Sequence, residues 1–118
     1  MNTTMTKRKY PRVAWPLKVT YATEDREYVS RTVDVSDGGA LLSVENGLKP
    51  GTPLKVKFQI DNFEVGPEEA HVVRNDSAFG GGALLVAVKF DRPHPGLATA
   101  AEFDREKKKW RNSNVLSR

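Results

Sequence analysis

With 118 residues, of which 38% are apolar and 8% aromatic, the chain can bury one core but not two. It has no cysteine, which excludes disulfides, thiolate chemistry and cysteine-based zinc sites. A formal net charge of +4 is weak for non-specific duplex DNA, and no apolar run approaches the ~20 residues that span a bilayer, so neither DNA binding nor membrane insertion is expected.

Residues 1–6 are polar and are expected to be disordered, ahead of a single domain over residues 7–111. The first cations have no apolar stretch behind them, so no signal peptide is predicted and a reducing cytoplasm is the expected location. Cations crowd Lys7 to Arg12 and again Arg105 to Arg111, with acids and bases alternating between. Such a distribution suits a small anionic ligand or an acidic protein partner.

Residues 13–22, VAWPLKVTYA, place Trp15, Leu17, Val19 and Tyr21 at period two, the pattern of a half-buried strand. Pro16 must then lie at an edge or bulge, because it has no N–H for a ladder. TEDRE is a turn, and YVSRTVDV alternates again, with Val29, Arg31 and Val33 opposed by Tyr28, Ser30, Thr32 and Asp34. SDGG predicts a tight turn, ALLSV a short strand, and ENGLKPGTP a loop by its Asn-Gly and Pro-Gly pairs. LKVKFQI turns Leu54, Val56, Phe58 and Ile60 inward and Lys55, Lys57 and Gln59 outward. Two more strands follow at Glu69–Arg74 and Ala83–Phe90, separated by NDSAFGGG. Six short strands at this spacing predict a mainly β fold, an antiparallel barrel whose closure removes its edges.

Residues 97–111 lack glycine and proline and are rich in Ala, Glu and Lys, predicting a C-terminal α-helix on the barrel. Leu97, Ala100, Phe103 and Trp110 are expected to share its buried stripe. Glu102 and Asp104 come early and the cations late, in keeping with the helix dipole. Residues 112–118 are expected to form a flexible tail.

Two short motifs carry the chemistry. Arg8 and Arg12 are separated by Pro11, which keeps Tyr10 away from helical angles. In an extended chain they face one way, roughly 13 Å apart. Arginine offers a planar fork that pairs bidentately with phosphate or the O6/N7 edge of guanine, and a plane that stacks on rings. Asp34 and Ser36 stand two apart at a strand end, offering a carboxylate and a hydroxyl on one face. A carboxylate suits the N1–H and N2 amine of guanine, and Gly38 and Gly39 allow close approach to the backbone. Taken singly, the first motif also fits a solvated basic tail, and the second a turn held by Asp and Ser side chains.

Together, Arg8-Lys9-Tyr10-Pro11-Arg12 before the first strand and Asp34-Val35-Ser36-Asp37-Gly38-Gly39 after the second resemble the two defining motifs of the PilZ domain family. The resemblance extends through LKPGTPLKVKFQI, EEAHVVRND and GGALLVAVKF, so it covers residues 7–110. It implies a six-stranded split barrel with a C-terminal helix, and a receptor for the second messenger cyclic di-GMP. By resemblance, Arg8 and Arg12 bind phosphates and guanine Hoogsteen edges. Asp34 and Ser36 then hold the other guanine edge, and Gly39 keeps the turn open. Lys7 occupies the place whose basic residue accompanies a stacked pair of ligands in the family, so one or two ligand molecules are expected. Gly38 and Arg74 are further candidate contacts.

Nothing in the chain supports catalysis or a cofactor. His71 and His94 have no companions at metal-ligand spacing, and no His–carboxylate pair is suggested. His71 reads as an ordinary strand residue and His94 as an exposed loop residue. The Gly80 to Gly82 run lacks the lysine of a phosphate loop. The expected function is a cytoplasmic bacterial receptor that rearranges its arginine segment on binding and signals to a downstream protein. Two rivals are a PilZ-like adaptor that binds protein but no nucleotide, and a small barrel for single-stranded nucleic acid. The second would need aromatic platforms on an exposed sheet, whereas the strand aromatics here fall mostly on the inward alternation.

Overall fold

A computed structural model of the protein describes residues 9–77 and 84–116. Six strands form, β1 (Lys18–Ala22), β2 (Glu27–Ser36), β3 (Gly39–Val44), β4 (Pro53–Ile60), β5 (Phe63–Ser77) and β6 (Leu84–Phe90), followed by helix α1 (Leu97–Leu116). Every pairing is antiparallel, and the order β1-β2-β3-β6-β5-β4 closes where β4 pairs with β1. The expected barrel is the observed one. Each strand sends at least one fully buried side chain inward: Val19, Val35, Leu42, Val56 and Phe58, Val72, and Val86. Phe58 meets Phe90 edge to face at 5.9 Å, and β4 follows its predicted alternation throughout.

The first predicted strand is shorter than its alternation suggests. Pro16 cannot join a ladder, and β1 starts only at Lys18. The buried hydroxyl of Thr32 spans the gap, donating to the Trp15 carbonyl and accepting from the Leu17 amide, both at 2.8 Å. β5, by contrast, begins at Phe63 rather than Glu69, because the chain passes through Gly66-Pro67 where the β4–β5 register shifts. A bulge accommodates the missing donor of a proline that reads as a loop in sequence.

Two further bulges decide what faces outward. In β2, Thr32 pairs with the buried Leu42, so strict alternation would also turn Asp34 inward. A register shift between them leaves Val33 extra and pairs Asp34 with Leu41 instead, on the outer face. In β5 the shift between Val72 and Arg74 turns Arg74 outward opposite Ala87.

Helix α1 lies on the barrel by a different face from the predicted one. Leu97, Ala101 and Asp104 are buried, whereas Phe103 and Trp110 are 73% and 67% exposed. What sets its rotation is polar: Trp15 donates its indole N–H to Asp104 at 2.8 Å, and Lys108 reaches the same carboxylate at 2.9 Å. Lys107 and Lys108 also grip Asp61 in the β4–β5 turn, at 2.5 and 3.5 Å. The helix runs on to Leu116, past Arg111, since Asn and Ser lower helix propensity without prohibiting it. Its cations therefore sit in mid-helix, and neither terminal turn carries the predicted dipole-matching charge. The anion at its N-terminus comes from elsewhere in the chain. Asp37 accepts from the amides of Gly96 (3.2 Å) and Ala98 (2.9 Å), a cap supplied by the β2–β3 turn.

Candidate functional site

Beyond Arg31, the flank of β2 that β1 occupied is open, and the N-terminal segment takes it. Val13 exchanges two backbone hydrogen bonds with Val35, at 2.8 and 3.0 Å, in an isolated antiparallel bridge. This lays Lys9 to Arg12 alongside the end of β2 and the turn that follows. Pro11 keeps Tyr10 extended, and the Tyr10 ring rests against Gly38 so closely that a β-carbon there would strike it.

Between this segment and the outer face of β3 and β6 lies an open cavity of about 240 Å³. Lys9, Tyr10 and Arg12 form one wall, Asp34, Ser36, Gly38 and Gly39 the next, and Leu41, Ala87 and Lys89 the floor. Three cations and one carboxylate line it, so its field favours an anion. Drug-sized ligands fill pockets of roughly 300 Å³ or more, so a dinucleotide would lie across this slot rather than within it.

The two motifs meet here. Arg12 Nη1 stands 3.7 Å from Asp34 Oδ2, with the carboxylate largely shielded and the guanidinium about one-third exposed. The contact is long and single, so the guanidinium keeps most of its donors free. The two groups sit side by side rather than facing each other across the slot, because the segment runs along β2 itself.

Ser36 and the two glycines are largely taken up by the turn. The buried Ser36 hydroxyl accepts from the Gly38 and Gly39 amides at 3.1 and 3.2 Å. Gly39 is needed because the Val88 carbonyl of β6 occupies the space a side chain would fill. Neither glycine has the left-handed φ found at Gly51, Gly66 and Gly96. The close approaches come from within the protein.

Arg74 is not a slot residue. It lies on the same outer row, Asp34–Leu41–Ala87–Arg74, three strand spacings or roughly 14 Å along, and its Nε donates to Asp76 at 2.8 Å. Lys7 and Arg8 fall outside the described residues. Tyr10, Leu41, Ala87 and Lys89 are slot residues that the motifs do not name. Alternation puts Lys89 outward in β6, but only the β3–β6 pairing of Gly39 with Lys89 brings it to the turn. His71 is a β5 strand residue as expected, but both histidines have carboxylate partners that their spacing in sequence does not suggest. His71 pairs with Asp91 at 3.2 Å, and His94, only one-third exposed, pairs with Glu68 across 26 residues. Neither pair lines the slot.

The family model of the PilZ domain matches residues 6–101. Among solved structures, the PilZ domain of YcgR from Escherichia coli, with c-di-GMP, superposes with a TM-score of 0.64 at 16% identity, over 92% of this chain and 98% of that one. The Bacillus subtilis inhibitor of motility, MotI/DgrA, gives 0.69 at 18% identity, over 86% of this chain and 51% of that one. MrkH, a c-di-GMP-dependent transcription regulatory factor, gives 0.60 at 17% identity, over 95% and 52%. At such identities the likeness is one of fold. The chain spans about half the length of MotI/DgrA and MrkH. None of the curated proteins matches it in sequence.

Proposed function

Because the chain belongs to the PilZ domain family, we propose that it is a receptor for cyclic di-GMP whose ligand lies across the slot between the N-terminal segment and the β2–β3 turn. The observation that carries this reading is the convergence of Arg12 and Asp34, 22 residues apart in sequence, at 3.7 Å on the rim of a cation-lined slot. Cyclic di-GMP has two phosphates and two purines. Arg12, with Arg8 and Lys7 beside it in sequence, supplies charge and stacking planes for them, and Lys89 adds a cation from the floor. Asp34 offers an acceptor for a guanine N1–H and N2 amine. Ser36, Gly38 and Gly39 act chiefly by shaping the turn that presents Asp34. Arg74 bounds the same sheet face at the far side and contacts a ligand only if a second molecule extends that way.

Binding exchanges the Arg12–Asp34 contact for contacts to the ligand, so the segment from Lys7 to Arg12 changes conformation. This altered segment is the surface offered to a downstream protein. Because Asp37 of the same turn caps α1, strain on the turn also reaches the helix. The role is that of a receptor rather than a catalyst. Among the described residues no helix is long and apolar enough to cross a membrane.

Calorimetric titration with cyclic di-GMP tests this directly. Arg12→Ala should lose about 2–4 kcal/mol, since it removes charge-assisted bonds and a stacking plane together. Asp34→Ala should weaken binding as well. Affinity indistinguishable from the parent protein in both variants overturns the assignment. Amide shifts confined to residues remote from the segment and from Asp34 to Gly39 would do the same.

A further inference from the structure

β2 outruns its neighbour. Its pairing with β3 stops at Arg31 and Ser43, where the Ser30 hydroxyl donates to the Ser43 carbonyl, yet β2 continues back to Glu27 against β1 alone. At the two ends of the β1–β2 ladder the Thr23 amide donates to the Arg26 carbonyl and the Thr32 amide to the Leu17 carbonyl. Residues 26, 28, 30 and 32 therefore turn their N–H and C=O groups toward β1, and Glu27, Val29 and Arg31 turn theirs away. Arg31 has Ser43 as its partner. In the same register Val29 would meet Glu45, but β3 ends at Val44, still paired with Leu84 of β6, and the chain bends away. Glu27 and Val29 are left on an open edge, of the kind that accepts a strand from another chain.

The edge borders a cavity of about 450 Å³, whose walls include Tyr21, Tyr28, Ser30, Val44, Glu45 and Asn46. Tyr21 and Tyr28, directly opposite in the β1–β2 ladder, stack at 4.9 Å. Tyr21 covers the Tyr28 face on the β1 side, so the other face looks into the gap. One carboxylate, that of Glu45, and no cation lines this cavity, the reverse of the slot. Arg31, where the open edge ends, is exposed on the outer face, since its neighbour Thr32 points inward. Glu45 is exposed and forms no ion pair among the described residues. Its charge adds to burial and to Tyr28 in raising the Tyr21 phenol above its ordinary 10.0, so the carboxylate stands near the stacked rings. A cation placed over the open Tyr28 face gains from the ring and from the carboxylate together.

We infer that the open edge of β2 takes an extended peptide of a partner protein as an added strand, with a lysine or arginine of that peptide directed between Tyr28 and Glu45. Backbone hydrogen bonds to Val29 attach the peptide whatever its sequence, and the basic residue selects it. The peptide residue opposite Val29 shares the outer face with that side chain, which is 68% exposed, and the residues on either side of it point inward at the cavity. Basic residues alternating with apolar ones therefore fit best. A strand is favoured over a small amine because the edge offers backbone groups that an amine leaves unpaired. The inference does not rest on what the slot binds, as Tyr28, Val29 and Glu45 are absent from its walls.

Titration of the isotope-labelled full chain, without nucleotide, with an end-blocked peptide of alternating valine and lysine provides the test. Amide shifts should gather at residues 27–30 and 44–46, and hydrogen exchange at the Val29 amide should slow roughly tenfold or more at saturation, because that group gains a partner. The same peptide N-methylated at its valines keeps every charge but loses the donors that face β2, and should bind roughly tenfold more weakly. A peptide of alternating valine and glutamate should also bind roughly tenfold more weakly, since it sets like charges together. Glu45→Gln should weaken the valine–lysine peptide roughly threefold, the range of a partly exposed ion pair, and an unchanged melting temperature checks that the fold survives. No binding of the valine–lysine peptide up to about 1 mM overturns the inference. Equal binding of the N-methylated peptide overturns it too, because an amine pocket alone would then suffice. Binding that leaves Val29 exchange unchanged, or that is indifferent to Glu45→Gln and to the glutamate peptide, places the contact elsewhere and overturns it as well.

Discussion

Asp37 caps a helix 61 residues downstream, its carboxylate accepting the amide of Ala98 at 2.9 Å and that of Gly96 at 3.2 Å. The helix needs this help because the residue before Leu97 is Gly96, which has a left-handed φ of 92° and no side chain to cap with. Asp37→Ala should therefore cost about 1 kcal/mol in urea unfolding, the usual loss for a missing N-cap, and Asp37→Asn should recover part of it. A variant as stable as its parent would mean that water caps the helix equally well.

Thr32 replaces the ladder bond that Pro16 cannot make. Its hydroxyl joins the Trp15 carbonyl and the Leu17 amide at 2.8 Å each, beneath the segment that carries Arg12. Thr32→Val keeps the shape but leaves both backbone groups without that partner, which should cost about 1–3 kcal/mol. Thr32→Ser should retain most of the stability. Denaturant midpoints for the pair distinguish lost hydrogen bonding from lost packing, and equal losses in both would point to packing.

The strands with period-two patterns are legible in the sequence itself. Leu54, Val56, Phe58 and Ile60 point inward as their spacing demands, and the β1–β4 pairing closes the barrel and removes its edges. What could not be read was anything set by pairing across the barrel. A one-residue bulge has no sequence signature in YVSRTVDV, yet the one at Val33 decides that Asp34 faces the slot. Lys89 belongs to the site only because β6 crosses over to pair with β3. Helix rotation departs from the sequence spacing for a related reason. Spacing alone weighs Phe103 and Trp110 as core, while the bond from Trp15 to Asp104, across 89 residues, turns a carboxylate inward instead.

Gly38 and Gly39 should respond unequally to alanine. At Gly38 the obstacle is the ring of Tyr10, a side chain that can swing outward. At Gly39 it is the carbonyl of Val88, held by the β3–β6 ladder. Gly39→Ala should thus cost about 1–3 kcal/mol, as for overpacking, and Gly38→Ala less. Gly38→Ala should instead displace Tyr10 from the slot wall, weakening nucleotide binding more than stability. Thermal melts and ligand titrations on both variants check this ordering, and a greater stability loss at Gly38 would contradict it.

The fastening of α1 to the β4–β5 turn should loosen in acid. The hydrogen bond from Lys107 is the chief cause holding the Asp61 carboxyl below its ordinary 3.8, with the charges of Lys107 and Lys108 adding to it. A group whose pKa is lower folded than unfolded contributes stability that is complete above its unfolded value and disappears as pH falls through its folded value. Asp61 should therefore support the fold at neutral pH and cease to do so on acidification below about 3.8. Lys108 has the opposite sense. Its hydrogen bond to Asp104 is the largest cause raising its pKa above 10.5, so its contribution is complete below that value and is lost as pH climbs through the folded one. Melting temperatures across pH should show Asp61→Asn closest to the parent in strong acid and furthest from it near neutrality. Both groups are partly exposed, so the effect should also shrink in high salt. An Asp61→Asn curve parallel to the parent's through the acid limb would show that the helix is held by Asp104 and Trp15 alone.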